Sequence, residues 1–398
     1  MLRVFEAFAG YGSQSIALRN LGVEYEVVAI SEIDKYAIKA YEAIHGSTNN
    51  LGDICKINPS DIPDHDLFTY SFPCQDLSVA GKQAGLGKGT RSGLLYECEK
   101  IIETKKPKYL LLENVKNLVG KKFKPEFNKW LEYLEGLGYT NYWQVLNAKH
   151  YGVPQNRERV FVVSILGDHK PYEFADKIPL DKCIADILED EVDEKYYLSE
   201  EMQNKFKITD QTKALIPQAT KKGYIEMDLP GVCDLSYPNS KTRRGRVQEG
   251  GKISPTLTAA SQDIRYIEPK LDFVGGIGDP TGLYLVDLPC ICASRGRNPE
   301  NPSDRTAGVP TEQRLEFNTK GTSNTITTVQ KDNYVVEPTY RIRKLTPREC
   351  FRLMGMRDDD IDKIQAAGIS NTQQYKMAGN SIVVNVLEAI FKNLFMEG

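Results

Sequence analysis

"RVFEAFAGYGSQSIALRNLG", residues 3–22, is the stretch on which the fold turns. An apolar run closes on a turn holding Gly10 and Gly12, and the amphipathic "SQSIALRNLG" follows. The pattern predicts a strand, a tight turn and a helix. "EYEVVAI" and "KYAIKAYEAIHG" repeat the alternation at once. "DLFTYSF", "PKYLLLENV" and "RVFVVSIL" add further short β-rich runs before residue 167. Strands alternating with helices predict βαβ units in an α/β, doubly wound, mostly parallel sheet with helices on both faces. Unbroken apolar strands such as "YLLLE" suit a sheet buried on both sides.

The turn also suggests a ligand. Glycines at the end of a first strand let backbone approach a bound group closely. A dinucleotide fingerprint needs a third glycine at position 15, and Ser15 stands there. Glu32, at the end of the second strand, is placed to take the hydroxyls of a ribose. Together these features favour an adenosine-type cofactor. Asp53 and Ile54, past the next turn, are candidates for the edge and face of an adenine.

The chain has 398 residues, 40% of them hydrophobic and 26% charged, with a formal net charge of −3. Such a length allows two or three domains and a sizeable core without disulfides. No apolar run approaches the roughly 20 residues that span a bilayer, and no signal peptide is visible. The eight cysteines are scattered with no paired CxxC spacing, so neither a zinc site nor a disulfide framework is expected, and a reducing, cytoplasmic location is. A net negative chain that binds nucleic acid must gather its positive charge on one face. "KTRRGRVQEGGK", residues 241–252, is a local candidate with five basic residues against Glu249.

The texture changes after residue 167. From 168 to 339, Pro, Gly, Asn and Asp punctuate short β-prone pieces. "SPTLTAASQDIRYIEP" (254–269) aligns without gaps on "SNTITTVQKDNYVVEP" (323–338), and "DLPGVC" is echoed by "DLPCIC". A duplicated β-rich unit, about 228–269 and 287–338, is expected in a second, irregular domain. From 340 the chain turns helical. Thr346 is placed to cap a helix with Pro347 at its first position, and "SIVVNVLEAIFKNLF" has apolar residues at helical spacing.

Within the first zone, a cysteine following a buried strand is ordinarily an inert core thiol. Cys74 has different surroundings. Pro73 stiffens the turn at the carboxyl edge of the sheet, where open α/β folds bind ligands. Gln75 and Ser78 bring polar groups. Five glycines from Gly81 to Gly93 are interleaved with Lys82, Lys88 and Arg91, which suits a lid closing on a polyanion. Glu113 ends another buried strand, where apolar walls raise a carboxyl pKa. Arg157 and Arg159, two apart, would share one face of an extended segment and could hold that carboxylate or a carbonyl.

These residues closely resemble the C5-cytosine-specific DNA methyltransferases of bacteria and phages. "FAGYG", the acid of "SEID", "GDI", "FPCQ", "TRSGLL", "ENV", "QNRER", "LTPRE" and "AGNSI" follow in the family's order. They cover most of 1–167 and 340–398. The resemblance implies a Rossmann-like catalytic domain from those two stretches, with the C-terminal helix returning to the N-terminal sheet. It makes 168–339 a target-recognition domain. It implies S-adenosylmethionine as methyl donor and no metal. Phe8, Ala9, Gly10, Gly12, Glu32, Ile33, Asp53, Ile54, Pro73, Leu94, Asn380 and Ser381 would then form the cofactor site. Cys74 would be the nucleophile toward cytosine C6, Glu113 would bond N3 and the exocyclic amine, Arg159 would hold O2, and Arg157 would support the carboxylate or thiolate.

By the same resemblance double-stranded DNA is the partner of a monomer, with a separately acting restriction endonuclease where one is paired. Gln75, Ser78, Lys82 and Arg91 would face the DNA from the lid. Arg243, Arg244, Arg246, Arg295 and Arg297 are candidates for guanine edges or phosphates. Thr256 and Thr258 in "PTLTA", or Thr325 and Thr327 in "NTITT", would lie near the extruded base; the sequence does not rank the two copies. Two other readings stay open at this stage, a tRNA cytosine methyltransferase with the same core and a noncatalytic DNA-binding regulator.

Overall fold

The computed structural model describes residues 1–73, 92–197, 207–210, 213–237, 240, 242–258, 264–270, 290–298, 301, 312–317, 333–336 and 339–396. Six strands form the main sheet: β1 (Leu2–Ala7), β2 (Tyr25–Ser31), β3 (Leu67–Tyr70), β4 (Tyr109–Val115), β5 (Tyr139–Asn147) and β6 (Glu158–Leu166). Their spatial order is β2-β1-β3-β4-β6-β5. The pairs β1/β2, β1/β3 and β3/β4 are parallel, whereas β6 runs antiparallel to both β4 and β5. Residues 148–157 join β5 to β6, fewer than the roughly dozen or more residues of the crossover that a parallel pair requires.

The helices between strands are α1 (Ser13–Leu21), α2 (Lys35–His45), α3 (Leu95–Lys105) and α4 (Lys124–Gly136). Gly12, in the left-handed conformation, precedes α1, and Asp34 caps α2 by accepting from the Tyr36 N–H. One face of the sheet, with Phe5, Phe68, Tyr70, Leu110, Leu112 and Val160, packs on Cys98, Ile101 and Ile102 of α3 and on Phe127, Trp130 and Leu134 of α4. Val4, Leu67, Leu111 and Phe161 on the other face are buried as well. That is the two-sided burial expected of such apolar strands.

The C-terminal helices are α5 (Pro347–Arg352), α6 (Asp358–Ala366), α7 (Asn371–Asn380) and α8 (Val384–Phe395). Thr346 and Glu349 form a capping box at the start of α5. Helix α8 packs on α1, where Asn20 Nδ2 donates to Glu388 Oε1 over 2.7 Å. The end of the chain thus returns to the N-terminal βα unit.

Contacts divide the chain into two compact units, Met1–Val192 with Lys252–Ile264 and Leu345–Gly398, and Asp193–Gly251 with Arg265–Lys344. These boundaries differ from the expected 167/168 and 339/340. Residues 168–192 stay with the first unit because they dock on the C-terminal helices: Tyr172 Oη donates to Ile390 O, and Arg352 Nη1 donates to Ile187 O and Leu188 O. Residues 252–258 do so through the turn before β6, where Ser254 N donates to Pro154 O and Asn156 N to Ser254 O.

Among the described residues the second unit holds three small sheets. Their strands are β7 (Lys207–Asp210), β8 (Lys213–Pro217), β9 (Tyr224–Asp228), β10 (Gly231–Asp234), β11 (Ile264–Lys270), β12 (Cys290–Arg297), β13 (Glu312–Phe317), β14 (Asn333–Val336) and β15 (Thr339–Lys344). The orders are β7-β8-β9, β10-β11-β15 and β13-β12-β14. Pairing of β15 with β11 explains why 340–344 belong here. In each copy of the repeat, the strand that begins at or just after the "DLP" echo lies beside the strand that enters or precedes the Glu-Pro pair.

Candidate active site

The strand order reverses between β1 and β3, and the loops leaving their carboxyl ends open a cavity of about 440 Å³. In an open α/β sheet such a switch point is where ligands bind. Phe8–Tyr11, Glu32–Asp34, Asp53, Ile54, Phe72, Pro73, Leu94, Glu113, Arg157, Arg159, Asn380 and Ser381 line it, all of them in the first unit.

Glu32 ties the first two loops together. Its Oε2 accepts from Gly10 N at 2.9 Å, and its Oε1 accepts from Ile33 N and Asp34 N at 2.8 Å each. Asn50 braces it, accepting from Glu32 N and donating to Glu32 O. A carboxylate offers about four acceptor positions. Three are used in this geometry. Gly10 sits at φ +59° with nothing within 4 Å of where a Cβ would project, leaving its face open.

Gly12 does not line the cavity, contrary to its expected place in the cofactor loop. Its missing side chain faces α2, where a Cβ would meet His45 Nε2 at 2.5 Å and Tyr41 at 2.7 Å. Asp53 accepts from Cys55 N at 3.1 Å and starts a short helical turn. Ile33 is 74% exposed beside the cavity. A large aliphatic side chain left in water next to an open-faced glycine and an anchored carboxylate fits a nucleoside whose base covers it.

At the other end of the cavity, Glu113 and Arg159 meet. Strand register pairs Glu113 with Phe161 and Val115 with Arg159. Glu113 and Arg159 are therefore diagonal neighbours on one face, within reach of long side chains. Arg159 Nε lies 3.2 Å from Glu113 Oε1, and its Nη1 donates to Glu158 O. Burial pushes the Glu113 carboxyl above the usual carboxylate range; Arg159, Arg157 and a Ser71 hydrogen bond only partly offset it. Asn114 secures the adjoining strand end by donating to Phe72 O at 3.0 Å.

Arg157 precedes β6 in a tight turn, its N–H bonded to Gln155 O, and lines the cavity together with Arg159. The buried Arg157 guanidinium donates to main-chain carbonyls of Leu257 at 2.8 Å, Gly379 at 3.1 Å and Ser381 at 2.7 Å. Thr256 lies on the same turn, its hydroxyl donating to Asn156 O at 2.6 Å, while Thr258 is exposed. The first copy of the threonine segment is thus built into the first unit.

Little in the sequence pointed to Tyr11, Asn50, Gln155 and Lys376. Tyr11 Oη and Ser381 Oγ hydrogen-bond at 2.7 Å, and Lys376 pairs with Asp34 at 2.6 Å, both at the cavity. Membership of "FAGYG" and "QNRER" was the available signal for Tyr11 and Gln155.

In the second unit, Arg246 is 1% exposed and donates to Asp234 O, Ser236 O and Tyr237 O. It is a structural residue, not an exposed reader of DNA as expected. Arg243 is ion-paired with Asp234, whereas Arg244 is exposed. Arg295 and Arg297 are described by backbone alone, in β12. Cys74, Gln75, Ser78, Lys82, Arg91, Thr325 and Thr327 lie outside the described residues. Among the described residues no group of three metal-ligating side chains gathers, and no helix is long and apolar enough to cross a membrane.

A parallel sheet with one reversed strand and a cavity at its switch point is a fold that this chain shares with solved methyltransferases. The Dnmt2 methyltransferase of S. pombe superposes with a TM-score of 0.57 at 19% identity, covering 100% of this chain and 99% of that one. The Entamoeba histolytica methyltransferase EhMeth gives 0.59 at 15% identity, covering 100% and 98%. Within this class, the profile of the C-5 cytosine-specific DNA methylases matches residues 2–396, and the chain belongs to that family. It is 36% identical to the type II methyltransferase M2.ScrFI of Lactococcus lactis subsp. cremoris over 99% of both chains. It is 34% identical to the orphan methyltransferase M.SPRI of Bacillus phage SPR, over 99% of this chain and 97% of that one.

Proposed function

We propose that this enzyme methylates cytosine by covalent catalysis through Cys74, on a base rotated out of duplex DNA. The observation that carries the reading is the buried Glu113–Arg159 pair, which shares one cavity with the Gly10–Glu32 loop. S-adenosylmethionine, when bound, supplies an electrophilic methyl group. Glu32 would hold its ribose, Ile33 would cover its base, Asp53 and Ile54 would take the adenine edge, and Leu94, Asn380 and Ser381 would enclose the remainder.

Cytosine C6 is inaccessible in a stacked duplex, so the base must leave the helix. The Cys74 thiolate then adds to C6, forming a carbon–sulfur bond and making C5 electron-rich. Glu113, readily protonated because it is buried, hydrogen-bonds N3 and the exocyclic amine and steadies the proton at N3. Arg159 fixes Glu113 through Nε and turns its remaining donors toward O2. Once C5 has gained the methyl group, leaving the donor as its thioether, loss of the C5 proton would expel the thiolate and restore the enzyme. The Gly-rich residues after Cys74 act as the lid.

Residues Asp193–Gly251 and Arg265–Lys344 serve as the target-recognition domain, with Arg244, Arg295 and Arg297 toward DNA. The protein acts as a cytoplasmic monomer without a metal, either as an orphan modification enzyme or beside a restriction endonuclease that acts separately. Both kinds of methyltransferase occur among the similar proteins.

Labelled S-adenosylmethionine, duplex DNA and tRNA in competition test the reading. Label should enter DNA and not tRNA, and Cys74→Ser should transfer none. DNA carrying 5-fluorocytosine should trap a covalent adduct, because elimination needs the C5 hydrogen. Equal transfer by wild type and Cys74→Ser would remove the nucleophile assignment, and absence of both transfer and adduct would leave a noncatalytic DNA-binding protein.

A further inference from the structure

One side chain in the first unit joins segments that bear on both substrates. Arg157 is 3% exposed and donates to three carbonyls from two distant parts of the chain. Gly379 and Ser381 belong to the wall of the cofactor cavity, and the Ser381 hydroxyl continues to Tyr11 in the loop after β1. Leu257 belongs to residues 252–264, which pack in the first unit although the chain on either side of them belongs to the second. Gln155 doubles the connection: its Oε1 accepts from Leu257 N at 3.1 Å and its Nε2 donates to Leu353 O at 2.6 Å.

A buried carbonyl that loses its donor costs about 1–3 kcal/mol. Moving the Gly379–Ser381 backbone therefore moves the guanidinium or breaks a costly bond, and the same guanidinium fixes Leu257. Two positions away along the chain, Arg159 holds Glu113.

We propose that Arg157 is a positioning residue that couples occupancy of the cofactor cavity to the placement of residues 252–258, and through them to target DNA. The inference rests on the function proposed above. Through Leu257 the first threonine segment, "PTLTA", is tied to Arg157. Linkage makes the coupling reciprocal, so cofactor and DNA must tighten each other's binding by the same factor.

The test measures binding of S-adenosylhomocysteine to the full chain, with and without a duplex bearing the site found by bisulfite sequencing of DNA from an expressing host. Wild type should bind it about five-fold or more tightly when the duplex is present. Arg157→Lys keeps the charge but cannot span three carbonyls, and its coupling factor should fall to near one. A wild-type factor of one, or an unchanged factor in Arg157→Lys, overturns the proposal. Hydrogen exchange on wild type needs no variant. S-adenosylhomocysteine alone should slow exchange at Leu257 and Thr258, and unchanged exchange there overturns the proposal as well. Failure of wild type to bind either ligand counts against the proposed function instead.

Discussion

Glu6 has no exposed surface, and its two oxygens accept from Ser15 Oγ at 2.8 Å and Tyr41 Oη at 3.0 Å. Burial pushes its carboxyl from 4.5 to about 7, against the pull of those two hydroxyls. Between these values the folded chain keeps a proton that the unfolded chain releases, so stability falls as pH rises through the window. The contribution is complete below about pH 4.5 and lost above about 7, a difference of about 3 kcal/mol. Glu6→Gln removes the titration. Urea midpoints at matched m-values should show the wild type losing stability relative to the variant between pH 4.5 and 7.5. A pH-independent difference would mean that Glu6 is already ionised in the fold. The arginines of "KTRRGR" divide by the same accounting of partners. Arg246→Ala strands the buried carbonyls of Asp234 and Ser236 and should cost about 2 kcal/mol or more in unfolding free energy. Arg244→Ala gives up one solvent-exposed bond, to Ala219 O at 2.9 Å, and should change the melting temperature little while weakening DNA binding and lowering its salt slope by about one. Reversed outcomes would exchange the two roles. Sequence shows that an arginine is charged but not whether carbonyls have already taken its donors, which is why Arg246 read as ligand-facing.

At the scale of the element, the β1–α1 turn separates two glycines that look alike in "AGYG". Gly12→Ala must hold the left-handed conformation and push a methyl into His45 and Tyr41. It should cost about 2–4 kcal/mol, from the left-handed penalty plus overpacking. Gly10→Ala meets nothing within 4 Å, so only the penalty of about 1–2 kcal/mol applies. Its methyl enters the cavity, however, and should weaken S-adenosylhomocysteine binding more than Gly12→Ala does. Denaturant unfolding and ligand titration on the two variants separate these effects, and equal stability losses would contradict the packing. The βαβ units at the N-terminus were legible because their strands are continuously apolar and their turns carry Gly or Asp. Strand β5 was not, since it is the edge strand and most of its residues are partly exposed, Trp143 among them at 38%. Residues 252–258 were illegible for another reason. Their place is fixed by hydrogen bonds to a turn 100 residues earlier, and nothing local records that.

The whole first unit is discontinuous, assembled from three stretches that include the C-terminal helices. Helix α8 alone buries Val384, Val386, Leu387, Ile390, Phe391 and Leu394. At about 1.5–3 kcal/mol for each fully buried side chain, six of them contribute about 9–18 kcal/mol, as much as the entire net stability of a typical domain at about 5–15 kcal/mol. The same stretch supplies Ser381 to Tyr11 and two of the three carbonyls held by Arg157, so folding and the cofactor wall depend on it together. A chain ending at Lys344 should therefore lose its cooperative calorimetric transition for the first unit, expose apolar surface that binds a hydrophobic dye, and show no S-adenosylhomocysteine binding. The second unit keeps its own core of Ala214, Ile216, Met227, Cys233 and Ile267 and all three of its sheets, and any residual transition should come from it. A truncated chain that still melts cooperatively and binds the ligand would show that the N-terminal βαβ units suffice, and that the C-terminal return decorates the fold without completing it.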